Sequence, residues 1–277
     1  MFSGLSFFML SDLQLKIRSK IIGKKILFAE KVDSTNDEAK KLALVDTAEG
    51  TVVVADSQRK GRGRLGRSWI SHKAKGIYMS VMIRPYVNPA KLPFITYFAS
   101  IAVARSIKGI TGLDVKIKWP NDIMIAGKKV GGILTEAVES RAAGKAVIVG
   151  IGINVNNTIS SFPRSIRKTA TSLKFEIGHA VDVMKLLKVI IEEFDKLYRS
   201  FLHKHFSDII EEWFVNSQSM GEWVTIKTGK KNIEGLAESI GPSGELNIRT
   251  PSGKIKKVYS GDVVSSTEGY LRRRSSR

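Results

Sequence analysis

The sequence predicts an α+β fold with a large first domain and a small, all-β second domain. Helical and strand patterns are mixed along most of the 277 residues, which is typical of a domain that packs helices on a sheet. From Gly221 onward the pattern changes to short alternating runs separated by Gly, Pro, Ser and Asn, which is typical of a small antiparallel β-barrel. We therefore expect one domain at residues 1–218 and a second at residues 219–277.

Each predicted helix shows apolar residues at helical spacing. The first covers residues 37–45 and follows Ser34 and Thr35, either of which can act as its N-cap. The later helical patterns cover residues 92–107, residues 181–201 and a segment that ends near Phe214.

The predicted strands are β-branched or alternating runs bounded by turn residues. In the first domain they cover residues 51–55, 77–83, 115–119, 123–125, 130–138 and 146–155. In the second domain they cover residues 224–226, 246–248 and 255–259. The first of these runs is β-branched along most of its length and is expected to be buried.

The composition excludes several kinds of site. The chain has no cysteine, which excludes a disulfide framework, a thiolate nucleophile and a cysteine-ligated zinc ion. None of the four histidines forms an HExxH zinc motif.

No apolar run reaches the roughly 18 residues that a membrane helix needs. The apolar residues 2–10 lack the basic start and the cleavage site of a secretory signal. A cytoplasmic protein is expected, with Met1 or Met9 as its first residue.

The formal net charge of +19 favours acidic partners, which include nucleic acids, phosphorylated ligands and acidic protein surfaces. A sequence-specific reader of nucleic acid would also need a recognition module. The sequence shows no zinc-finger spacing, basic zipper or RNP-like segment, and the residues before Ile26 are too few for a three-helix DNA-binding domain. Nucleic-acid binding therefore stays an alternative supported by charge alone. The basic tail from Arg272 to Arg274 is interpreted as a solvated end.

Residues 61–67 (GRGRLGR) form a glycine- and arginine-rich segment. Its GxGxxG pattern does not indicate a dinucleotide fold, because a strand rather than a helix follows, and the kinase and P-loop motifs are absent from the sequence. Glycines let backbone N–H groups approach an anion, and arginines donate paired hydrogen bonds to phosphate or carboxylate. An isolated loop of this kind is more often simply solvated, but Gln58 and Trp69 on either side favour a ligand site.

Residues 118–122 (KWPND) lead into a predicted β-hairpin. Pro-Asn-Asp favours a turn, and the Ala-Gly pair that follows can close the hairpin. Because side chains alternate along a strand, Asp122 and Lys129 are expected on the same face of the sheet. A solvated surface hairpin is the alternative, but Trp119 and the paired glycines at 131–132 favour a ligand site.

Residues 150–156 (GIGINVN) place glycines at alternate positions of a predicted strand. Such spacing leaves one face of the strand without side chains, as a flat ligand lying on the sheet would require. An equally good interpretation is that another part of the protein crosses this strand closely.

In their order and spacing these motifs resemble the biotin–protein ligase family. The matching residues are Asp33, Ser34, Thr35, Asn36, Gln58, the loop at 61–67, Trp69, the segment at 118–122, Lys129, Gly132 and the strand at 150–154. The resemblance spans nearly the whole chain. It implies a catalytic domain like that of class II aminoacyl-tRNA synthetases, with a mixed sheet flanked by helices, and an SH3-like C-terminal barrel. Some members carry an N-terminal winged helix and repress transcription, a role that is not expected of this sequence.

The resemblance implies that ATP activates biotin to biotinyl-5′-AMP, with Mg²⁺ assisting. The biotin then passes to a lysine of a biotin carboxyl carrier protein, or of the corresponding domain of a biotin-dependent carboxylase. Family members are often dimers, so a homodimer is possible, whereas a membrane or a specific nucleic acid is not expected as a partner. A lipoate–protein ligase, which shares the fold and the adenylation chemistry, is the nearest alternative.

By position, the resemblance also assigns expected roles to individual residues. The biotin-binding residues would be Ser34, Thr35, Asn36, Gln58, Arg62, Gly63, Arg64, Lys129, Gly132 and Gly152. The ATP- or adenylate-binding residues would be Arg64, Trp69, Lys118, Asn121, Asp122 and Asn154. The catalytic residues would be Lys129, Arg62, Arg64 and Asp122. Asp122 would position Lys129, a metal ion or the incoming amine, and the metal ligands are not identified.

Overall fold

The computed structural model describes residues 8–9, 16–45, 47–140, 143–229 and 231–266. The basic tail from Arg272 to Arg274 lies outside the described residues, as does most of the apolar segment near Met1. No helix within the described part of the chain is long and apolar enough to cross a membrane.

A mixed β-sheet forms the centre of the first domain, as the resemblance predicts. In chain order its strands are β1 (Phe8–Met9), β2 (Ile26–Val32), β3 (Val52–Gln58), β4 (Gly76–Ile83), β5 (Val115–Lys118), β6 (Asp122–Ile125), β7 (Lys128–Ser140) and β8 (Gly144–Asn154). Across the sheet the order is β1-β2-β3-β4-β8-β7-β6-β5. Strands β2 and β3 pair in parallel, and the other described neighbours pair antiparallel.

Helices cover both faces of this sheet. They are α1 (Thr35–Ala43), α2 (Pro93–Thr111), α3 (Leu173–Ile177), α4 (Val183–Leu202) and α5 (Phe206–Asn216). Helix α1 packs on one face, where Val53 and Met82 meet its apolar side. On the other face α2 lies between the sheet and α4, and its residues are apolar nearly all round because it is buried on several sides.

The start of α1 differs from the sequence-based expectation in one detail. Ser34 occupies the N-cap position with extended backbone, but among the described residues its side chain makes no capping hydrogen bond. Ser34 instead lines the cavity described below. The first N–H of α1, that of Thr35, is accepted by Gln58 Oε1 at 2.9 Å instead of by a capping side chain.

The second domain is a five-stranded antiparallel sheet. Its strands are β9 (Trp223–Thr228), β10 (Lys231–Ile240), β11 (Leu246–Arg249), β12 (Ile255–Val258) and β13 (Asp262–Ser266), in the spatial order β12-β11-β10-β9-β13. It rests on the start of α2, where the Tyr97 hydroxyl donates a hydrogen bond of 2.6 Å to the Gly244 carbonyl. This contact joins α2 to the turn between β10 and β11, while the domain boundary between residues 218 and 219 stays a prediction.

A buried carboxylate on α4 ties the segment before β2 to the helical layer. Asp195, which is 1% exposed, accepts hydrogen bonds from the backbone N–H groups of Lys20, Ile21 and Ile22 at 3.1, 2.7 and 2.9 Å. It also accepts one from Arg199 at 3.1 Å. Burial alone would raise the pKa of Asp195, but these hydrogen bonds outweigh burial and hold the pKa below its usual value.

We expect Asp195→Ala to lower the free energy of unfolding by about 3 kcal/mol, because it leaves buried N–H groups without an acceptor. Since the folded pKa of Asp195 is depressed, its stabilisation is complete above about pH 4 and is lost as the pH falls through the folded value. Urea unfolding of wild type and variant from pH 7 to pH 3 measures both effects. The exposed Glu211→Ala on α5 is the control and should change stability by less than about 0.5 kcal/mol. A constant difference between wild type and Asp195→Ala at every pH would contradict the assignment.

Candidate active site

One cavity of about 210 Å³ brings the predicted site residues together. Of the fifteen residues named above for biotin, nucleotide or catalysis, all except Lys118 line it. Lys118 is half-buried at the end of β5 and lies outside the lining, so its expected role in nucleotide binding stays a prediction. The cavity sits on the sheet face that also carries α1, and it is bounded by the ends of β3, β6 and β8.

The wall beside α1 is polar. The backbone N–H of Thr35 donates to Gln58 Oε1 at 2.9 Å, and the Thr35 hydroxyl lies 3.2 Å from the same oxygen. Gln58 Nε2 donates in turn to the Ser71 hydroxyl at 3.0 Å. The amide of Gln58, at the end of β3, is therefore held in one orientation, and the N-terminus of α1 contributes a backbone donor to the same region.

Asn36 is buried behind this wall, and protein atoms contact both ends of its amide. Its Nδ2 donates to Glu136 Oε2 at 2.7 Å, and its Oδ1 lies 2.6 Å from the Ser80 hydroxyl. Arg62 also reaches Glu136 Oε2, at 3.2 Å, and forms an ion pair with Asp37. Asn36 and Arg62, both expected to bind biotin, thus share a carboxylate that the sequence analysis did not single out.

The glycine-rich loop folds back on itself. Arg62 and Ser68 form an isolated antiparallel bridge, and the Gly63 N–H donates to the Arg67 carbonyl at 2.7 Å. A Cβ atom at Gly61 would lie 2.5 Å from the Trp69 carbonyl oxygen, so glycine is required where the two ends of the loop meet.

Arg64 extends from this loop to the second domain. It donates to Asn121 Oδ1 at 3.2 Å and to the Gly261 carbonyl at 3.3 Å, and it lies 3.6 Å from Asp262 Oδ1. Arg67 pairs with the other oxygen of Asp262. Burial lowers the pKa of Arg64, whereas the nearby carboxylates of Asp262 and Asp122 act to raise it. Guanidinium groups remain protonated in proteins, so Arg64 is a partly buried, permanent cation at the cavity edge.

The predicted hairpin between β6 and β7 is confirmed, and it brings Lys129 Nζ to 2.6 Å from Asp122 Oδ1. The two-residue turn has positive φ at Ala126 and Gly127, at 47° and 72°, as the tight turns of hairpins require. Lys129 is also held by its backbone, which exchanges hydrogen bonds of 2.8 and 2.9 Å with residues 169 and 171. The ammonium group is therefore fixed over the cavity by both its strand and its partner.

The glycines of β8 face protein side chains. A Cβ atom at Gly150 would overlap Asn36 Oδ1, and one at Gly152 would lie 2.6 Å from Trp69 Cε2. The Trp69 ring also lies 5.6 Å from Lys129 Nζ. Of the two interpretations left open, close crossing by other elements therefore holds in this structure. Trp69 Nε1 is buried against Gly152 and has no hydrogen-bond partner among the described residues.

A segment that sequence reasoning missed forms the remaining wall. It contributes Phe162, Ile166, Thr169 and Ala170, all of which line the cavity. Neither the spacing nor the composition of this loop marks it as a site. Asp262, from β13, also lines the cavity and was missed, because nothing local distinguishes it from other surface carboxylates.

No cluster of three or more His, Asp or Glu side chains suited to a metal ion exists among the described residues. The carboxylates that line the cavity are Asp122 and Asp262. Mg²⁺ usually takes one or two carboxylates together with substrate phosphates and water, so this donor set fits a magnesium ion that arrives with a nucleotide.

Comparison with known proteins gives consistent results. Residues 28–154 match the model of the biotin/lipoate A/B protein ligase family, and residues 220–265 match the biotin protein ligase C-terminal domain. The bifunctional ligase/repressor BirA of Bacillus spizizenii is 36% identical over 91% of this chain and 78% of its own length. The biotin–[acetyl-CoA-carboxylase] ligase of Paracoccus denitrificans is 32% identical over 81% of this chain and 94% of its own.

A solved structure extends the likeness to the fold. The biotin protein ligase from Aquifex aeolicus in complex with biotin and ATP superimposes with a TM-score of 0.73 at 32% identity. The match covers 88% of this chain and 99% of that one.

Proposed function

The chain belongs to the biotin/lipoate A/B protein ligase family, and we propose that its cavity joins biotin to ATP and then passes the biotin to a lysine of another protein. The chain is a biotin–protein ligase, since its relatives and structural neighbours carry that activity. One observation supports the placement of the chemistry: the Lys129 ammonium, held 2.6 Å from Asp122, lines the same cavity as the polar wall at Ser34, Thr35 and Gln58.

The polar wall binds the ureido ring of biotin. That ring offers both N–H donors and a carbonyl acceptor, and Ser34, Thr35 and Gln58 supply the complementary hydroxyl and amide groups. Gly63 and Arg62 contribute backbone groups of the loop, while Gly152 and Gly132 leave room against the sheet for the Trp69 ring and the Lys129 side chain. Trp69, which packs on Gly152, covers the ligand from above.

Lys129 acts at the reacting centre. A carboxylate oxygen of biotin attacks the α-phosphorus of ATP, the bond from phosphorus to the bridging oxygen breaks, and pyrophosphate leaves. Negative charge increases on the α-phosphate oxygens during this step, and a fixed cation stabilises it more in the transition state than in the ground state. Asp122 holds the ammonium in place at 2.6 Å, and Arg62 and Arg64 neutralise the carboxylate and the phosphate.

The second step transfers biotin to protein. The neutral ε-amine of the acceptor lysine attacks the carbonyl carbon of biotinyl-5′-AMP, AMP leaves, and the amine loses a proton as the amide forms. In this proposal Asp122 accepts that proton or orients the amine. Mg²⁺, when bound, would be held by Asp122 and the substrate phosphates and would neutralise phosphate charge.

Pyrophosphate exchange into ATP tests the first step directly. We expect exchange with biotin and only background exchange with lipoate or without an added acid. Exchange with lipoate but not with biotin would overturn the proposal in favour of a lipoate–protein ligase.

The acceptor is proposed to be a biotin carboxyl carrier domain of a biotin-dependent carboxylase, in keeping with the printed name of the Paracoccus denitrificans relative. We expect its recruitment to depend on charge, because this chain carries a net charge of +19. Transfer from preformed biotinyl-5′-AMP should therefore slow as salt rises when the acceptor is well below saturation, since salt screens exposed charges. Transfer rates that do not change between low and high salt would contradict this prediction. A homodimer and a cytoplasmic location likewise stay predictions.

A further inference from the structure

Five cationic side chains lie on the short segment that precedes β2. Half of residues 16–25 are lysine or arginine, and none is acidic. The five cations, here called the basic segment, are Lys16, Arg18, Lys20, Lys24 and Lys25. All five are exposed, whereas Ile17 and Ile21 are half-buried and pack against the core. Apolar side chains therefore anchor this part of the chain, and its charged side chains stay in solvent.

The carboxylates that contact the basic segment are already balanced by other cations. Glu192 accepts the backbone N–H of Arg18 at 2.7 Å and lies 4.0 Å from Lys188 Nζ. Asp195 likewise accepts backbone N–H groups of the segment, and it pairs with Arg199 at 3.1 Å. None of the five cations forms an ion pair with a residue that the structure describes. Their charge is therefore not neutralised by the protein itself.

The basic segment lies away from the cavity. It packs on α4, where a Cβ atom at Gly23 would lie 2.7 Å from Ile191 Cγ2. Helix α4 is the outer layer on the sheet face opposite α1, whereas the cavity sits on the face that carries α1. None of the five cations lines the cavity. They cannot hold an acceptor protein at the cavity, and their charge suits a separate anionic partner.

The chemistry of the basic segment favours nucleic-acid phosphate over a protein or a membrane as that partner. Specific protein interfaces are centred on apolar or aromatic anchors that become buried. A basic patch holds a membrane stably only together with a second, apolar signal. The isoleucines of residues 16–25 are half-buried or buried, so they offer neither. Lysine and arginine side chains alone are sufficient for contacts to a phosphate backbone.

We propose that the basic segment binds the phosphate backbone of nucleic acid without reading its sequence, as an activity separate from ligation. Each cation that neutralises a phosphate releases a counterion, so this binding weakens steeply as salt rises. The bound nucleic acid lies on the α4 side of the sheet and leaves the cavity open. The proposal therefore does not depend on the proposed function.

Fluorescence anisotropy of a labelled duplex DNA of mixed sequence tests the proposal. It gives the Kd of the full chain between about 50 and 200 mM salt. The first variant combines Lys16→Gln, Arg18→Gln and Lys20→Gln, and the second combines Lys24→Gln and Lys25→Gln. In the first variant the slope of log affinity against log salt should be shallower by about 2 to 3, and the Kd at low salt should rise about tenfold or more. In the second variant the slope should be shallower by about 1 to 2.

The matched control combines Lys231→Gln, Lys254→Gln and Lys256→Gln in the second domain. These lysines are exposed and form no ion pair with the rest of the described chain, so the control removes the same charge as the first variant. It should keep nearly the wild-type slope and Kd. Equal losses in the control and the first variant would show that only the net charge matters, which would overturn the proposal.

Pyrophosphate exchange with biotin separates this activity from ligation. Exchange should stay at the wild-type rate in both variants, because none of the substituted residues lines the cavity. If the first variant does not fold, as judged by thermal unfolding, the second decides. No duplex binding by wild type, or binding of the segment to phosphatidylserine vesicles but not to the duplex, would overturn the inference and leave the proposed function untouched. Loss of exchange by wild type with duplex binding intact would overturn the proposed function alone.

Discussion

Replacing Lys129 with alanine should lower the rate of biotinyl-5′-AMP formation by a factor of about 10² to 10³ while leaving the fold intact. The ammonium group is fixed by Asp122 at 2.6 Å, so it needs no reorganisation when charge increases on the α-phosphate. An alanine removes that cation, and water cannot replace it at the same position. The loss should fall mainly on the rate of the chemical step, because the stabilisation is greater in the transition state than in the bound substrates.

The measurement is pyrophosphate exchange with saturating biotin and ATP, alongside direct binding of biotin. Lys128→Ala offers a matched control, because its side chain alternates to the other face and its Nζ lies over the Phe175 ring at 5.6 Å. That control should keep near-normal exchange. Near-normal exchange by Lys129→Ala would remove Lys129 from the reaction.

Replacing Arg64 with glycine should release the adenylate. Arg64 is half-buried at the edge of the cavity and donates a hydrogen bond of 3.2 Å to Asn121 Oδ1, on the proposed nucleotide side. Loss of charge-assisted hydrogen bonds to phosphate should raise the off-rate of biotinyl-5′-AMP by about 10- to 100-fold. Lys129 stays in place, so the adenylate still forms, and exposed lysines of bystander proteins become acylated.

Stopped-flow release of biotinyl-5′-AMP from wild type and variant measures this effect, with labelling of an unrelated protein as a second readout. Arg59→Gly is the control, since Arg59 lies just before the same loop and pairs with Asp33. Its off-rate should match wild type. Equal off-rates for Arg64→Gly and wild type would show that Arg64 does not hold the adenylate.

The parts of the fold that follow from local periodicity were predictable from the sequence. Strands β4 and β8 and the long helices α2 and α4 lie within a few residues of their predicted bounds. Strand β2 was not predicted, and neither were β10 and β13, because their charged and polar residues weaken the alternating pattern. Ser34 occupies the predicted N-cap position of α1, but its side chain makes no capping hydrogen bond and lines the cavity instead.

The site likewise combines contacts that follow from the local sequence pattern with contacts that depend on tertiary packing. The approach of Lys129 to Asp122 was predictable, because a hairpin with a short turn has a fixed side-chain period. The bulge between Ile123 and Met124, which shifts the register, leaves that pair on one face. Asp262 was not predictable, since its contact with Arg67 joins residues 195 positions apart in the sequence. Such contacts depend on how the domains pack, which no local pattern encodes.

Asp262 also links the second domain thermodynamically to whatever occupies the cavity. Arg64 and Arg67 both pair with that carboxylate, and a phosphate bound beside them would compete for the same guanidinium groups. An anion that attracts the two guanidinium groups weakens their ion pairs with Asp262 on β13. By thermodynamic reciprocity, a partner that moves β13 away from the two arginines raises their affinity for the anion. An acceptor protein that contacts both domains would therefore have one affinity for the enzyme that holds biotinyl-5′-AMP and another for the empty enzyme.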